Sequence, residues 1–179
     1  MRIALAQIDP TVGDIDGNLV LALHSAEQAA ALGVDLLLLP ELVLTGYPPE
    51  DLLAKTHFID RAMEAAGVFA AEAACPSLLG TAYRDDDGIH NSAVYARGGG
   101  IEAVYNKRLL PNYGVFDEER YFDPGRGTTL IEIDGVACGV TVCEDIWQPE
   151  PVARLAASGA RVVLNLSASP FHAGKGVSR

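Results

Sequence analysis

Short apolar runs, each closed by glycine, proline or a polar cluster, alternate along this chain with two stretches of helical spacing. Residues 2–8 predict a strand, and 9–14 a polar loop. Asn18 is placed to cap a helix in which Leu19, Ala22, Leu23, Ala26, Ala29 and Ala30 share one face, with Gly33 as the stop. The apolar run 35–39 follows at once as a buried strand. Strand, helix and strand over so short a distance form a βαβ unit and argue for an α/β layer.

Gly46, Pro48 and Pro49 then break residues 42–53 into a loop before a short helix, and a loop in that position is where α/β proteins put ligand contacts. Thr56 predicts the cap of a second helix running to about Ala74 and broken by Cys75-Pro76. Residues 77–83, 91–96 and 101–106 read as strands joined by glycine-bearing turns at 84–88 and 97–100, so this part of the sheet is expected to be antiparallel. The segment 107–125 is too aromatic for a solvent linker and too broken for a helix, and is expected to fold back over the body of the protein. Residues 128–133 and 136–142 predict a hairpin about Asp134-Gly135. A helix over 151–158, stopped at Gly159, and a buried strand over 161–166 complete the pattern. The chain carries no internal repeat and no low-complexity tract.

Composition narrows the classes of function. A chain of 179 residues that is 49% hydrophobic builds one sizeable core, so residues 1–179 are expected to form a single unit. A net charge of -11, with 13 Lys and Arg scattered rather than striped, opposes nucleic-acid binding. No apolar run approaches the ~20 residues that span a bilayer, and the first strand follows Met1 without a signal sequence, which predicts a cytoplasmic protein. Cys75, Cys138 and Cys143 cannot all pair, and none has partners at zinc-site spacing, so no metal is expected. Gly98-Gly99-Gly100 lacks the following helix and the Gly-Lys-Ser/Thr of a phosphate-binding loop.

Three strand ends carry candidate chemistry. The β-branched run 136–142 stops abruptly at Cys143, followed by two acids and Trp147. A free cysteine there serves packing as readily as catalysis, and Trp147 reads as core packing. Glu41 lies just past strand 35–39 and Lys107 just past strand 101–106. Singly they could be a capping acid and a solvated strand end. Together, a carboxylate, an amine and a thiol beyond the C-terminal ends of strands make a general base, a cation and a nucleophile.

Their order and contexts, Pro-Glu41, Asn-Lys107 and Val-Cys143-Glu-Asp, resemble the Glu-Lys-Cys triad of the nitrilase (carbon–nitrogen hydrolase) superfamily. The stretches 45–53, 110–118, 143–147 and 165–171 are similar, more narrowly, to the glutaminase domains of glutamine-dependent NAD synthetases. The resemblance implies an α-β-β-α sandwich, incomplete here at its C-terminus, because such domains are longer than this chain. It implies hydrolysis of L-glutamine to glutamate and ammonia through a thioester on Cys143. Glu41 would be the base, and Lys107 would favour the thiolate and stabilise the oxyanion. Glu118, rather than its neighbour Glu119, would hold Lys107, while Tyr113, Ser169 and Lys175 would contact glutamine. No cofactor is implied for this domain. ATP and Mg belong to a synthetase domain absent from the chain, which would use the ammonia to amidate deamido-NAD within a homo-oligomer. The same triad would also serve a free-standing amidase or carbamoyl hydrolase acting on a small amide. An inactive interaction module is the alternative of another class.

Overall fold

The computed structural model describes residues 1–169 and builds them as two facing sheets with helices outside. β1 (Ile3–Leu5), α1 (Ile15–Ala31) and β2 (Leu36–Leu38) form the expected βαβ unit, with β1 and β2 parallel and Ile3 opposite Leu36. α1 begins earlier than Asn18. Asp14 caps it by accepting from the Gly17 N–H at 3.1 Å. Asn18 is buried within the helix instead, where its carboxamide accepts from the Thr11 N–H and donates to the Thr11 and Leu44 carbonyls. Its short polar side chain ties two loops together through their backbone groups, a tertiary demand that outweighs the local capping preference. Gly33 does end the helix, at φ +62°.

After a 3₁₀ turn at Glu50–Ala54, α2 (Thr56–Glu72) starts with Lys55 rather than Thr56 at the cap position, without a side-chain cap. β3 (Ser77–Asp85), β4 (Gly88–Arg97) and β5 (Gly100–Asn106) pair antiparallel, as the glycine turns predict, and extend the first sheet in the order β1-β2-β3-β4-β5. β6 (Leu130–Ile133) and β7 (Val136–Val142) are the predicted hairpin. α3 (Pro149–Ala157), which starts two residues before the expected Pro151, leads to β8 (Val162–Leu166), and the second sheet runs β6-β7-β8.

Alternation along the strands divides the core in two. Leu37, Leu39 and Leu79 face α1 and α2, whose alanines let the helices lie close to the sheet. Leu36, Leu38, Leu78, Tyr95 and Tyr105 face the other way and meet Ile131, Ile133, Cys138, Val140, Val142 and Leu166 of the second sheet. α3 covers the outer face of that sheet, where Leu155 packs against Gly139. The result is the α-β-β-α sandwich. Trp147 lies outside this core, 64% exposed, against the expectation of packing. The 3₁₀ turn Cys143–Ile146 lifts the chain off the end of β7, so core positions stop at Cys143.

Gly80 is where the fold meets the site. A Cβ there would lie 2.3 Å from the Pro40 carbonyl oxygen, 2.5 Å from the Leu42 nitrogen and 2.7 Å from the Glu41 Cα. All three contacts are backbone, so the segment carrying Glu41 can cross β3 only over a glycine. Gly80→Ala is expected to destabilise the protein by about 1–3 kcal/mol through overpacking, read as a lower urea midpoint; an unchanged midpoint would show that the Glu41 segment does not press on β3.

Candidate active site

Each of the three strand ends is turned sharply. β2 passes through Pro40 and Glu41 to Leu42, which has φ +50°. β5 ends at Lys107, whose backbone N–H donates to the Asn91 carbonyl at 2.8 Å and whose carbonyl accepts from the Gly125 N–H at 2.8 Å. β7 ends at Cys143, a non-glycine residue at φ +44°. Such a conformation costs about 1–3 kcal/mol and persists only where neighbours impose it. Asp145 imposes it here. Its fully buried carboxylate accepts from the Val142 N–H at 3.0 Å, the Tyr105 hydroxyl at 2.8 Å, and the Arg108 and Leu109 N–H groups at 3.1 and 2.9 Å. One side chain thereby ties the cysteine turn to the chain leaving Lys107.

The side chains of Lys107 and Glu41 are both 0% exposed. Lys107 Nζ donates to Glu41 Oε1 at 2.9 Å and to both oxygens of Glu118 at 2.8 and 2.7 Å. Glu118 comes from the irregular segment, on a 3₁₀ turn at Glu118–Arg120, so that segment folds back over the site as expected. The Tyr47 hydroxyl donates to Glu118 Oε1 at 3.2 Å. Glu41 Oε2 accepts from the Ala168 N–H at 2.9 Å. Cys143, 9% exposed, lies beside this cluster, near enough to Glu41 for the carboxylate to act on its thiol.

Burial opposes the Lys107 charge, but Glu41 and Glu118 more than offset it and hold the ammonium above its ordinary pKa. Burial likewise pushes Glu118 up, with Lys107 pulling the other way. The thiol of Cys143 is pushed up to about 12, first by burial and next by the Glu41 carboxylate, with Lys107 opposing both. Lys107 therefore acts in the expected direction without winning. The resting nucleophile is a neutral thiol next to a carboxylate, and it must be deprotonated as it attacks.

Of the remaining predicted residues, Tyr113 and Ser169 lie around this cluster. Tyr113 is 58% exposed, stacks edge-on against Phe116 at 5.6 Å, and donates to Glu144 Oε2 at 2.9 Å. It lines a cleft of about 570 Å³ together with Arg108, Glu119 and Glu144. Glu119 thus faces that cleft, and Glu118 is the acid on Lys107. Ser169 lines a second cleft, about 530 Å³, with Glu41, Tyr47 and Asn165. Lys175 lies outside the described residues. Among the described residues, no three His, Cys, Asp or Glu side chains are grouped to hold a metal ion, and no helix is long and apolar enough to cross a membrane.

Sequence reasoning missed Tyr47, Asn91 and Asp145. Asn91 Nδ2 donates to Glu41 Oε1 at 2.8 Å and approaches Glu118 Oε2 at 3.5 Å, while its Oδ1 is buried without a partner among the described residues. An orphaned acceptor of this kind costs about 1–3 kcal/mol. The available signal was His90-Asn91-Ser92, a polar run near the head of a strand whose next four positions are apolar.

Comparison with known proteins places this geometry. Residues 2–178 match the family model described as carbon-nitrogen hydrolase. The glutamine-dependent NAD(+) synthetase of Thermotoga maritima is 45% identical over 184 residues, covering 100% of this chain and 32% of the relative. That of Xanthomonas campestris pv. campestris is 40% identical over 183 residues, covering 100% of this chain and 33% of the relative. The chain thus spans about a third of the length of these relatives. The solved glutamine-dependent NAD+ synthetase of Acinetobacter baumannii superposes with a TM-score of 0.94 at 38% identity, covering 99% of this chain and 34% of that one. A mutant amidase from Nesterenkonia sp. AN1, with the acetamide moiety of fluoroacetamide added covalently at its active site cysteine, superposes with a TM-score of 0.86 at 28% identity, covering 99% of this chain and 68% of that one.

The buried thiol has a consequence for stability. A folded pKa of about 12 against an ordinary 9.0 means that the stability Cys143 contributes below pH 9 is lost as pH rises toward 12. Urea midpoints of the wild type are expected to fall more steeply between pH 9 and 12 than those of Cys143→Ala; parallel declines would contradict the buried, carboxylate-facing thiol.

Proposed function

The chain belongs to the carbon–nitrogen hydrolase family, and on that premise we propose that it hydrolyses the side-chain amide of L-glutamine to glutamate and ammonia. The observation that carries the reading is the buried contact of Lys107 with Glu41 and Glu118 beside the Cys143 turn. The names of the similar NAD synthetases support glutamine as the substrate. In the complete protein the ammonia would amidate deamido-NAD in a separate, ATP- and Mg-dependent domain, within an assembly of several copies.

Glu41 accepts the Cys143 proton as Sγ attacks the amide carbon, forming the C–S bond and an oxyanion. Lys107 and the backbone N–H of Glu144, the first past the nucleophile, are the proposed oxyanion donors, and one such donor is worth about 10²–10³ in rate. Collapse breaks the C–N bond. Glu41 returns the proton to the leaving ammonia, and the acyl group stays on sulfur as a γ-glutamyl thioester. Glu41 then takes a proton from water, which attacks the thioester and frees glutamate and the thiol. Lys107 is unsuited to the base role because its two carboxylate partners hold its proton. Glu118 keeps Lys107 charged and in place.

Tyr113, Ser169 and Lys175 are the proposed contacts to the glutamine α-amino and α-carboxylate groups, which suit hydroxyls and a cation. Tyr113 and Ser169 line the clefts that also hold Glu144 and Glu41, respectively. The complete protein is expected to release ammonia from L-glutamine, and Cys143→Ala and Glu41→Gln are each expected to lower that rate by about 10³-fold or more. Glutamine left untouched while small aliphatic amides are hydrolysed would replace this reading with the amidase one.

A further inference from the structure

Glu41 carries two oxygens in different surroundings. Oε1 accepts from Lys107 Nζ at 2.9 Å and from Asn91 Nδ2 at 2.8 Å, and Oε2 accepts from the Ala168 N–H at 2.9 Å. A carboxylate oxygen has two lone-pair directions. Among the described residues, donors use both on Oε1 and leave one on Oε2. We propose that Asn91 is a positioning residue that, with Lys107, occupies Oε1 and so makes Oε2 the oxygen that takes the Cys143 proton. The inference rests on the reading of Glu41 as the base.

Asn91 is fully buried on β4, and its backbone carbonyl also accepts from the Lys107 N–H at 2.8 Å. The same residue therefore fixes the cation through its main chain and the base through its side chain. Its orientation follows from charge. Reversing the amide would set Oδ1 against the carboxylates of Glu41 and Glu118, so the amide keeps its N–H₂ toward them and leaves Oδ1 without a partner among the described residues. A residue chosen for packing alone would not retain an orphaned acceptor in that position. Among the described residues, the charged and titratable groups facing Glu41 are Lys107 from the end of β5, Glu118 from its 3₁₀ turn, Cys143 from the end of β7, and Tyr47 from the loop after β2.

A hydrogen bond to the charged form of an acid favours that form, and removing the Asn91 donor takes one from the base. In the complete protein, Asn91→Ala is expected to move the acid limb of kcat/KM for ammonia release from L-glutamine upward by about 1–2 pH units. At a pH below that limb, kcat is expected to fall about tenfold or more, with KM within twofold. Alkylation of Cys143 by iodoacetamide needs the same base and no substrate, and its acid limb is expected to move by the same amount. Asn91→Ser carries both measurements if the alanine variant does not fold. A lowered kcat with both acid limbs unmoved, or a loss confined to KM, would overturn the positioning role. If the wild type leaves glutamine untouched while its alkylation limb shifts as expected in the variant, the substrate reading has failed and the assignment of Asn91 stands.

Discussion

A lysine with no solvent exposure, held between two carboxylates, is the constraint from which the site follows. Moving an ammonium out of water is unfavourable by several kcal/mol unless nearby charges and hydrogen bonds replace the lost hydration. Here Glu41 and Glu118 do so from opposite parts of the chain, one from the end of β2 and the other from a segment that folds back after β5. The cation can exist in this place only when both have arrived. Its burial therefore reports that the first sheet and its covering segment are correctly assembled.

Two acids against one amine also set the state of the nucleophile. Cys143 lies next to a carboxylate in a water-poor site, and both burial and that carboxylate hold the proton on its thiol. This favours proton transfer during attack over a standing thiolate. It gives Lys107 an electrostatic part rather than an acid–base one. Asp145 complements the arrangement from the other side. By accepting from backbone groups on both sides of the gap between β5 and β7, it holds the strained Cys143 turn against the exit of Lys107.

Much of the fold was legible because its elements follow local rules. The βαβ start, the glycine-marked hairpins from β3 to β5 and the Asp134-Gly135 turn all appear where period and turn chemistry put them. The failures were tertiary. Asn18 has the chemistry of a cap but serves two distant loops, and Trp147 has the composition of a core residue but follows a turn that leaves the core. The three strand-end residues stood out because a carboxylate, an amine and a thiol interrupt apolar runs. Tyr47 did not, since nothing local distinguishes a tyrosine in a loop from its commonplace uses, and the polar run at Asn91 marks an unusual strand without saying what it touches. Their partners Glu41 and Glu118 lie dozens of residues away for the most part, and only the folded chain pairs them.

The central claim is that Cys143 attacks the glutamine amide and carries the acyl group. Mixing the complete protein with L-glutamine, quenching in acid within the turnover time and mapping the modified peptide by mass spectrometry tests it directly. The account predicts a γ-glutamyl adduct on the peptide bearing Cys143. Turnover of glutamine with no such adduct and undiminished in Cys143→Ala, or an adduct on Cys75 or Cys138 instead, would contradict it.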